Sequence, residues 1–496
     1  MNRGRARIGS WVAVIAACAL CLPAVAEASR RDRSLEGRLM EHIKVLASDD
    51  FEGREPGTEG EARTLRYLGR EWFDIGLVSG TNDPGNEWFA PVTLVERVPA
   101  ASTAQFKRSG RRLTLSPDEA LMLTSGNRSL VRDAPVLFVG TLESDLPGRS
   151  ELAGRVALLL DGGRDDSERQ NALLAEGASA VLTVLDGDRT LQNVAARRQR
   201  SGYALAQDAT GGDLEGFVTS KGMDRLLRGS GTSLESLEEA VGKPQFAPHL
   251  LGMTASLEAT TQETTIRTHN LIGKLPGRRP GSGAVLFVSH WDHFGVCSAP
   301  PAEDTVCNGA IDNASGVAAL TEIARRLVRG QRPDRDIYFL ATTAEELGFL
   351  GAHAFAEDPP LPLNQIVAAF NIDSNAIAPR GTPLAIVGRG MTGLDEQIAV
   401  VARRERRRIV ESDAANAYVK RQDGWALLQH DIPAVLVSSA YGDISRMEAF
   451  FENDYHRPSD DVKHRIELGG AAEDVAFHVA LARWFGDVRR VPSPGG

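Results

Sequence analysis

The chain has 496 residues, of which 42% are apolar and 25% charged, and a formal charge of −10 from 56 basic and 66 acidic side chains. That is an ordinary balance for two or three folded domains, and it excludes a mostly disordered, fibrous or polytopic membrane protein. The acidic excess gives no general attraction for nucleic acid, so none is expected as a partner.

The chain opens like an export signal. Arg3, Arg5 and Arg7 precede an apolar run from Trp11 to Leu22 that is too short to span a bilayer comfortably. Ala24-Val25-Ala26 then supplies a small-x-small cleavage pattern. A signal peptide over residues 1–26 is expected, and with it a secreted or periplasmic protein. A lipoprotein anchored at Cys18 is the rival, through Ile15-Ala16-Ala17-Cys18, but apolar sequence continues after that cysteine. An uncleaved anchor is a third reading. No later stretch is long and apolar enough for a membrane span.

From Leu35 to Leu77 the pattern is helical, with apolar stripes at Leu39, Ile43 and Leu46 and at Leu65, Leu68 and Trp72 on either side of Gly57 and Gly60. The middle of the chain reads as short strands at Pro135–Val139, Val156–Leu160 and Ala180–Val184 with a helix at Glu168–Glu176. Beyond it, strands at Ala284–Ser289, Asp336–Thr342, Ile366–Ile372 and Ala434–Ser438 alternate with helices at Ala314–Val328 and Gly393–Arg406. The expected fold is therefore a doubly wound α/β domain built on a mostly parallel sheet, residues 35–115 and 256–490, with a β-rich insert over 116–255. The basic run Arg403–Arg408 reads as the solvated end of a helix.

Three of those strands end in groups that bind metals. They are His290-Trp-Asp292-His293, Glu345-Glu346 and Asp373, and sites in open α/β sheets form at such carboxyl ends. Asp312, ahead of a helix, and His456, in a late loop, complete the set. Each has a plain structural reading: Asp312 could be a helix cap, a single His could be structural, and two glutamates could be solvated. Asp373 follows a buried-looking strand, where an ionised carboxylate is costly unless paired or metal-bound. Two imidazoles and four carboxylates suit zinc, and they exceed one catalytic zinc's need. They fit two metals sharing a carboxylate, with one acid left as a base.

These motifs resemble a known family. His290-x-Asp292, Asp312-Asn-x-Ser-Gly316, Glu345-Glu346-x-Gly348, Asn371-x-Asp373 and Tyr455-His456-x-Pro458 are similar to those of the dinuclear zinc aminopeptidases of the bacterial leucyl aminopeptidase and aminopeptidase Y type. Leu46–Arg54 looks like that family's opening segment. The insert resembles a protease-associated domain through Asp145-Leu146, Gly154–Leu158 and Ala175–Leu182. The resemblance implies two Zn2+ per chain. His290 and Asp373 would hold one, Glu346 and His456 the other, and Asp312 would bridge them. Glu345 would be the general base, and Asp292 would orient His290. Tyr455 would be a candidate donor to the oxyanion, and His293 a loop residue. Peptides with a free N-terminus are the implied substrates. The sequence carries no signal for an oligomeric state.

One departure stands out. Where many relatives have Ser-Asp-His, this chain has Gln422-Asp423-Gly424, which bears on the substrate pocket rather than on the metals. Rival readings are a glutamate-carboxypeptidase-type enzyme, a one-metal glutaminyl-cyclase-like enzyme and a non-catalytic binding protein on the same fold. Cys297 and Cys307 are the only cysteines beyond the leader. An oxidising compartment would allow them to form a disulfide; two separate buried thiols are the alternative.

Overall fold

A computed structural model describes residues 34–492 apart from 86, 162–166, 187–188, 200–201, 209–212 and 299–300. The expected signal peptide, with Cys18 and Cys21, lies outside the described residues. No described helix is long and apolar enough to cross a membrane.

The chain divides into two compact units: residues up to Val92 together with Arg267 onward, and Thr93–Ile266 between them. The second unit reaches further outward than the composition shift at 116–255. Its first hairpin, with Ala104–Arg108 against Arg111–Leu115, pairs inside it.

In the first unit the central strands are parallel: Ala284–His290 lies between Asp336–Thr342 and Ile366–Asn371, and Ala434–Ser438 pairs beyond the latter. Antiparallel strands flank both sides, Ala385–Val387 on one and Leu271–Leu275 on the other, the latter paired in turn with Val78–Ser79. Every residue of Ala284–His290 and Ile366–Asn371 is buried, as expected of parallel strands covered on both faces. The helix over 34–46 buries Leu35, Leu39, Ile43 and Leu46. Helix Glu59–Ile75 buries Leu65, Leu68 and Trp72, and the indole of Trp72 donates to Thr321 Oγ1 at 3.1 Å. Helix Ser315–Val328 is buried along most of its length and joins the same core.

The chain order of the strands matters for function. From Ala284–His290 it moves to the neighbour on one side, Asp336–Thr342, and then crosses to the other side at Ile366–Asn371. The order reverses at the carboxyl end of Ala284–His290, where crevices form in such sheets. His290 stands at that point.

The insert has its own parallel strands, Arg128–Gly140, Val156–Leu160, Ala180–Leu185 and Leu214–Thr219, with Ala120–Thr124 antiparallel at the edge. Phe138, Leu158, Leu182 and Val218 form its core. The Arg403–Arg408 run is exposed at the end of helix Asp395–Arg404 except for Arg407, which lies half-buried with Nη2 3.0 Å from buried Asp474.

Candidate metal centre

The carboxyl ends of the parallel strands bring six of the expected residues together. His290 Nε2 lies 3.3 Å from Asp312 Oδ1, 3.5 Å from Asp373 Oδ1 and 3.9 Å from Glu345 Oε2. On the other side, His456 Nε2 lies 3.0 Å from Glu346 Oε2 and 3.4 Å from Asp312 Oδ2. The two oxygens of Asp312 thus face two different imidazoles. Donor atoms of His290, Asp312 and Glu346, and of His290, Glu345 and Asp373, all lie within 4.8 Å of one another in groups able to hold a metal ion. Glu345 is 7% exposed, whereas the His456 side chain is 32% exposed and marks the solvent side of the cluster.

Main-chain architecture fixes these side chains. Asn313 donates to Ser289 Oγ and Ile372 O, and its Oδ1 accepts from the amides of Gly316 and Ser374. One amide side chain thereby ties the loop of Asp312 to that of Asp373. A Cβ on Gly316 would come within 2.1 Å of Asn313 Oδ1, so glycine is needed there. Ala344, Ser374 and His456 all have positive φ, between 48° and 57°. Such backbone costs about 1–3 kcal/mol per residue and persists where its surroundings over-determine it.

Asp292 acts differently from the expectation. Its carboxylate stands 3.8 Å from His290 Nδ1, beyond hydrogen-bond reach, and the closer acceptor for that nitrogen is the Asp292 carbonyl at 3.2 Å. The carboxylate instead accepts from the amides of Glu345, at 3.2 Å, and Glu346, at 3.4 Å. It therefore holds the glutamate turn against the end of the His290 strand.

The sequence gives no role to Asp460 or to Arg54 individually, and other residues take contacts it does not assign. His293, expected in a loop, is buried with Nδ1 2.5 Å from Glu346 Oε1. Its closeness in sequence to His290 was the available signal. Asp460 accepts from the amides of Ile311 at 2.8 Å and Asp312 at 2.9 Å. Arg54, fully buried, donates to four main-chain carbonyls around the site. Tyr455 stacks on His456 with ring centroids 3.5 Å apart. Gln422 and Asp423 are buried, accepting from Asn371 Nδ2 and Thr342 Oγ1 respectively. The departing stretch therefore braces two strand ends, and Gly424 sits in the first turn of helix Asp423–Gln429.

The electrostatics are those of too many acids in one dry place. Burial, reinforced by Glu346, Asp373 and Asp423, pushes Glu345 well above the usual carboxylate range. Burial likewise raises Asp292 to about 7, Asp460 to about 7 and Asp423 to about 6. Burial pulls His456 down, but Asp312 and Glu346 outweigh it and raise the imidazole to about 9. Tyr455 is pushed well above 10 by burial and the surrounding carboxylates, which keeps its phenol protonated. The buried Oδ2 of Asp312 and Nε2 of His456 face each other with no hydrogen bond to either. Two lone-pair atoms without a hydrogen bond, inside a cluster short of positive charge, fit a divalent cation.

Cys297 and Cys307 form a disulfide, next to the two-residue pairing of Gly295–Val296 with Val306–Cys307. A Cβ on Gly53, at φ +65°, would meet Cys307 O at 2.4 Å, so the bridged loop packs directly on the segment carrying Arg54. Closing a loop of this size stabilises by up to about 3 kcal/mol in the chain-entropy model. Cys297→Ser is expected to lower the melting temperature and to abolish the difference between reduced and oxidised protein; equal melting of variant and parent would contradict this.

Comparison with known proteins agrees with the family resemblance. Residues 270–480 match the model of Peptidase family M28. The aminopeptidase from Aneurinibacillus sp. strain AM-1 shares the fold, with a TM-score of 0.51 and 18% identity over 91% of this chain and 93% of that one. A zinc aminopeptidase from Bacillus subtilis is similar at a TM-score of 0.43 and 17% identity, over 90% of this chain and 93% of that one. A glutamate carboxypeptidase 2 homolog of Caenorhabditis elegans is 29% identical over 112 residues, which are 22% of this chain. The match spans only 13% of that relative's length.

Proposed function

We propose, from the M28 peptidase domain at residues 270–480, that this chain is an exported aminopeptidase using two zinc ions to remove N-terminal residues from peptides. The carrying observation is Asp312, whose two oxygens face His290 on one side and His456 on the other. In this reading His290 and Asp373 would hold one zinc, Glu346 and His456 would hold the second, and Asp312 would be shared between them. His293 steadies Glu346. Bound zinc would acidify water and polarise the scissile carbonyl. Glu345 takes the proton of the attacking water and passes it to the leaving amine. Its place beside His290, rather than on the His456 side, suits that transfer. Tyr455, kept protonated, donates to the developing oxyanion. Asp292 positions Glu345 by holding its amide.

The aminopeptidase reading is the one that the resemblance of the metal-site motifs favours. The disulfide is consistent with export to an oxidising compartment. The insert is read as a protease-associated domain.

A peptide mixture with half its members N-acetylated separates this reading from the carboxypeptidase one, which the short match to a glutamate carboxypeptidase homolog favours. Mass spectrometry should show residues lost from free N-termini only. Trimming of acetylated peptides from their C-termini would establish the alternative. Elemental analysis at saturation should approach two zinc per chain, and a firm plateau at one would overturn the dinuclear centre.

A further inference from the structure

We infer that Arg54 and Asp460 are positioning residues that together set the place of the bridging carboxylate Asp312. The inference rests on the two-metal reading above. The segment Asn308–Asp312 is gripped from two chemically opposite sides. Arg54 Nη1 donates to Asn308 O at 2.6 Å and Nη2 to Gly309 O at 3.0 Å. Asp460 accepts from the amides of Ile311 and Asp312 at 2.8 and 2.9 Å, and its own carbonyl accepts from the amide of Ala310 at 3.1 Å. A cation thus collects the carbonyls at one end of the run, and an anion collects the amides at the other.

The same two side chains extend the grip to the imidazoles. Arg54 Nε donates to Trp291 O at 2.8 Å, one residue beyond His290. Its Nη1 also reaches Leu46 O at 2.8 Å, anchoring the guanidinium to the 34–46 helix end. Asp460 follows His456 by four residues, within the turn that delivers that imidazole. A shift of either residue therefore moves Asp312 relative to one metal-facing histidine or the other.

Burial sharpens the argument. Arg54 is 0% exposed and its guanidinium is lowered to about 10 by desolvation, against the pull of Asp460, Asp312, Asp292 and Glu346. A buried guanidinium is tolerated only where its planar fork is satisfied in fixed directions, which a lysine ammonium cannot reproduce. Asn at 460 could accept one of the two amides but would point its own NH2 at the other.

The test uses Co2+ with the full chain, wild type against Asp460→Asn and Arg54→Lys. Three quantities are read: Co2+ affinity by chelator competition, the visible absorption band of the loaded protein, and melting of the metal-free protein. The wild type is expected to bind two equivalents. Asp460→Asn is expected to melt near the wild type when metal-free and Arg54→Lys below it, having lost buried hydrogen bonds; each is expected to hold one equivalent about 10–100-fold more weakly and to show an altered band. Variants with wild-type affinities and band overturn the inference while leaving the two-metal reading intact. A wild type that takes up no Co2+ overturns both. Should Arg54→Lys fail to fold, Asp460→Asn decides alone. If both unfold and Co2+ does not restore them, their role is general stability and the inference falls.

Discussion

Glu345→Gln is expected to lower kcat by about 10²–10⁴-fold, the usual worth of a positioned proton carrier, while two zinc ions remain bound. Glutamine keeps the shape and the amide that Asp292 holds, but it can neither accept the water proton nor deliver it. The structure puts the carboxylate at the cluster without tying it to another acid: it is buried, 3.9 Å from His290 Nε2, with its amide held by Asp292. Steady-state kinetics with a peptide substrate and metal analysis on the same sample check it. A variant with near-normal kcat would remove Glu345 from the mechanism. A variant that lost a metal would make Glu345 a ligand, an outcome its nearness to His290 and Asp373 makes worth measuring.

The strands and the convergent ligands were legible because each depends on local pattern. Val156–Leu160, Asp336–Thr342 and Ala434–Ser438 have the bounds read from their apolar runs, since buried parallel strands need nearly continuous apolar sequence. His290, the glutamate pair and Asp373 follow such runs directly, so their meeting at the carboxyl ends of the strands is readable from the sequence. Arg54 and Asp460 could not be placed that way. Apart from Leu46, their partners are main-chain groups 237 to 255 positions away for Arg54 and 148 to 149 away for the Asp460 carboxylate, and a carbonyl or amide leaves no mark in sequence. Asp292 shows the same limit. The family resemblance implies an imidazole partner for it, whereas its carboxylate turns to two amides delivered by the neighbouring strand. The resemblance assigns His293 no metal and leaves it a loop residue; its burial against Glu346 depends on how that loop folds back.

Asp312→Asn should reduce saturable zinc from two equivalents to one or none and reduce turnover to near background. The reason lies in the two separate jobs of its oxygens. Oδ1 lies on the His290 and Asp373 side and Oδ2 on the His456 and Glu346 side, with Oδ2 accepting no hydrogen bond. An asparagine presents one oxygen and one NH2, and the NH2 has no lone pair to offer a cation. Whichever way the amide turns, one side of the bridge is lost. The loss should also appear in stability. A ligand that binds only the folded state stabilises it by RT ln(1 + [L]/Kd), so two tight sites raise melting more than one. The zinc-induced rise in melting temperature should therefore shrink in the variant, measured against its own metal-free state. Glu346→Gln, which touches only the His456 side, should lose one equivalent and spare the other. Two equivalents retained in Asp312→Asn would show that no carboxylate bridge is needed and would separate the two cation positions altogether.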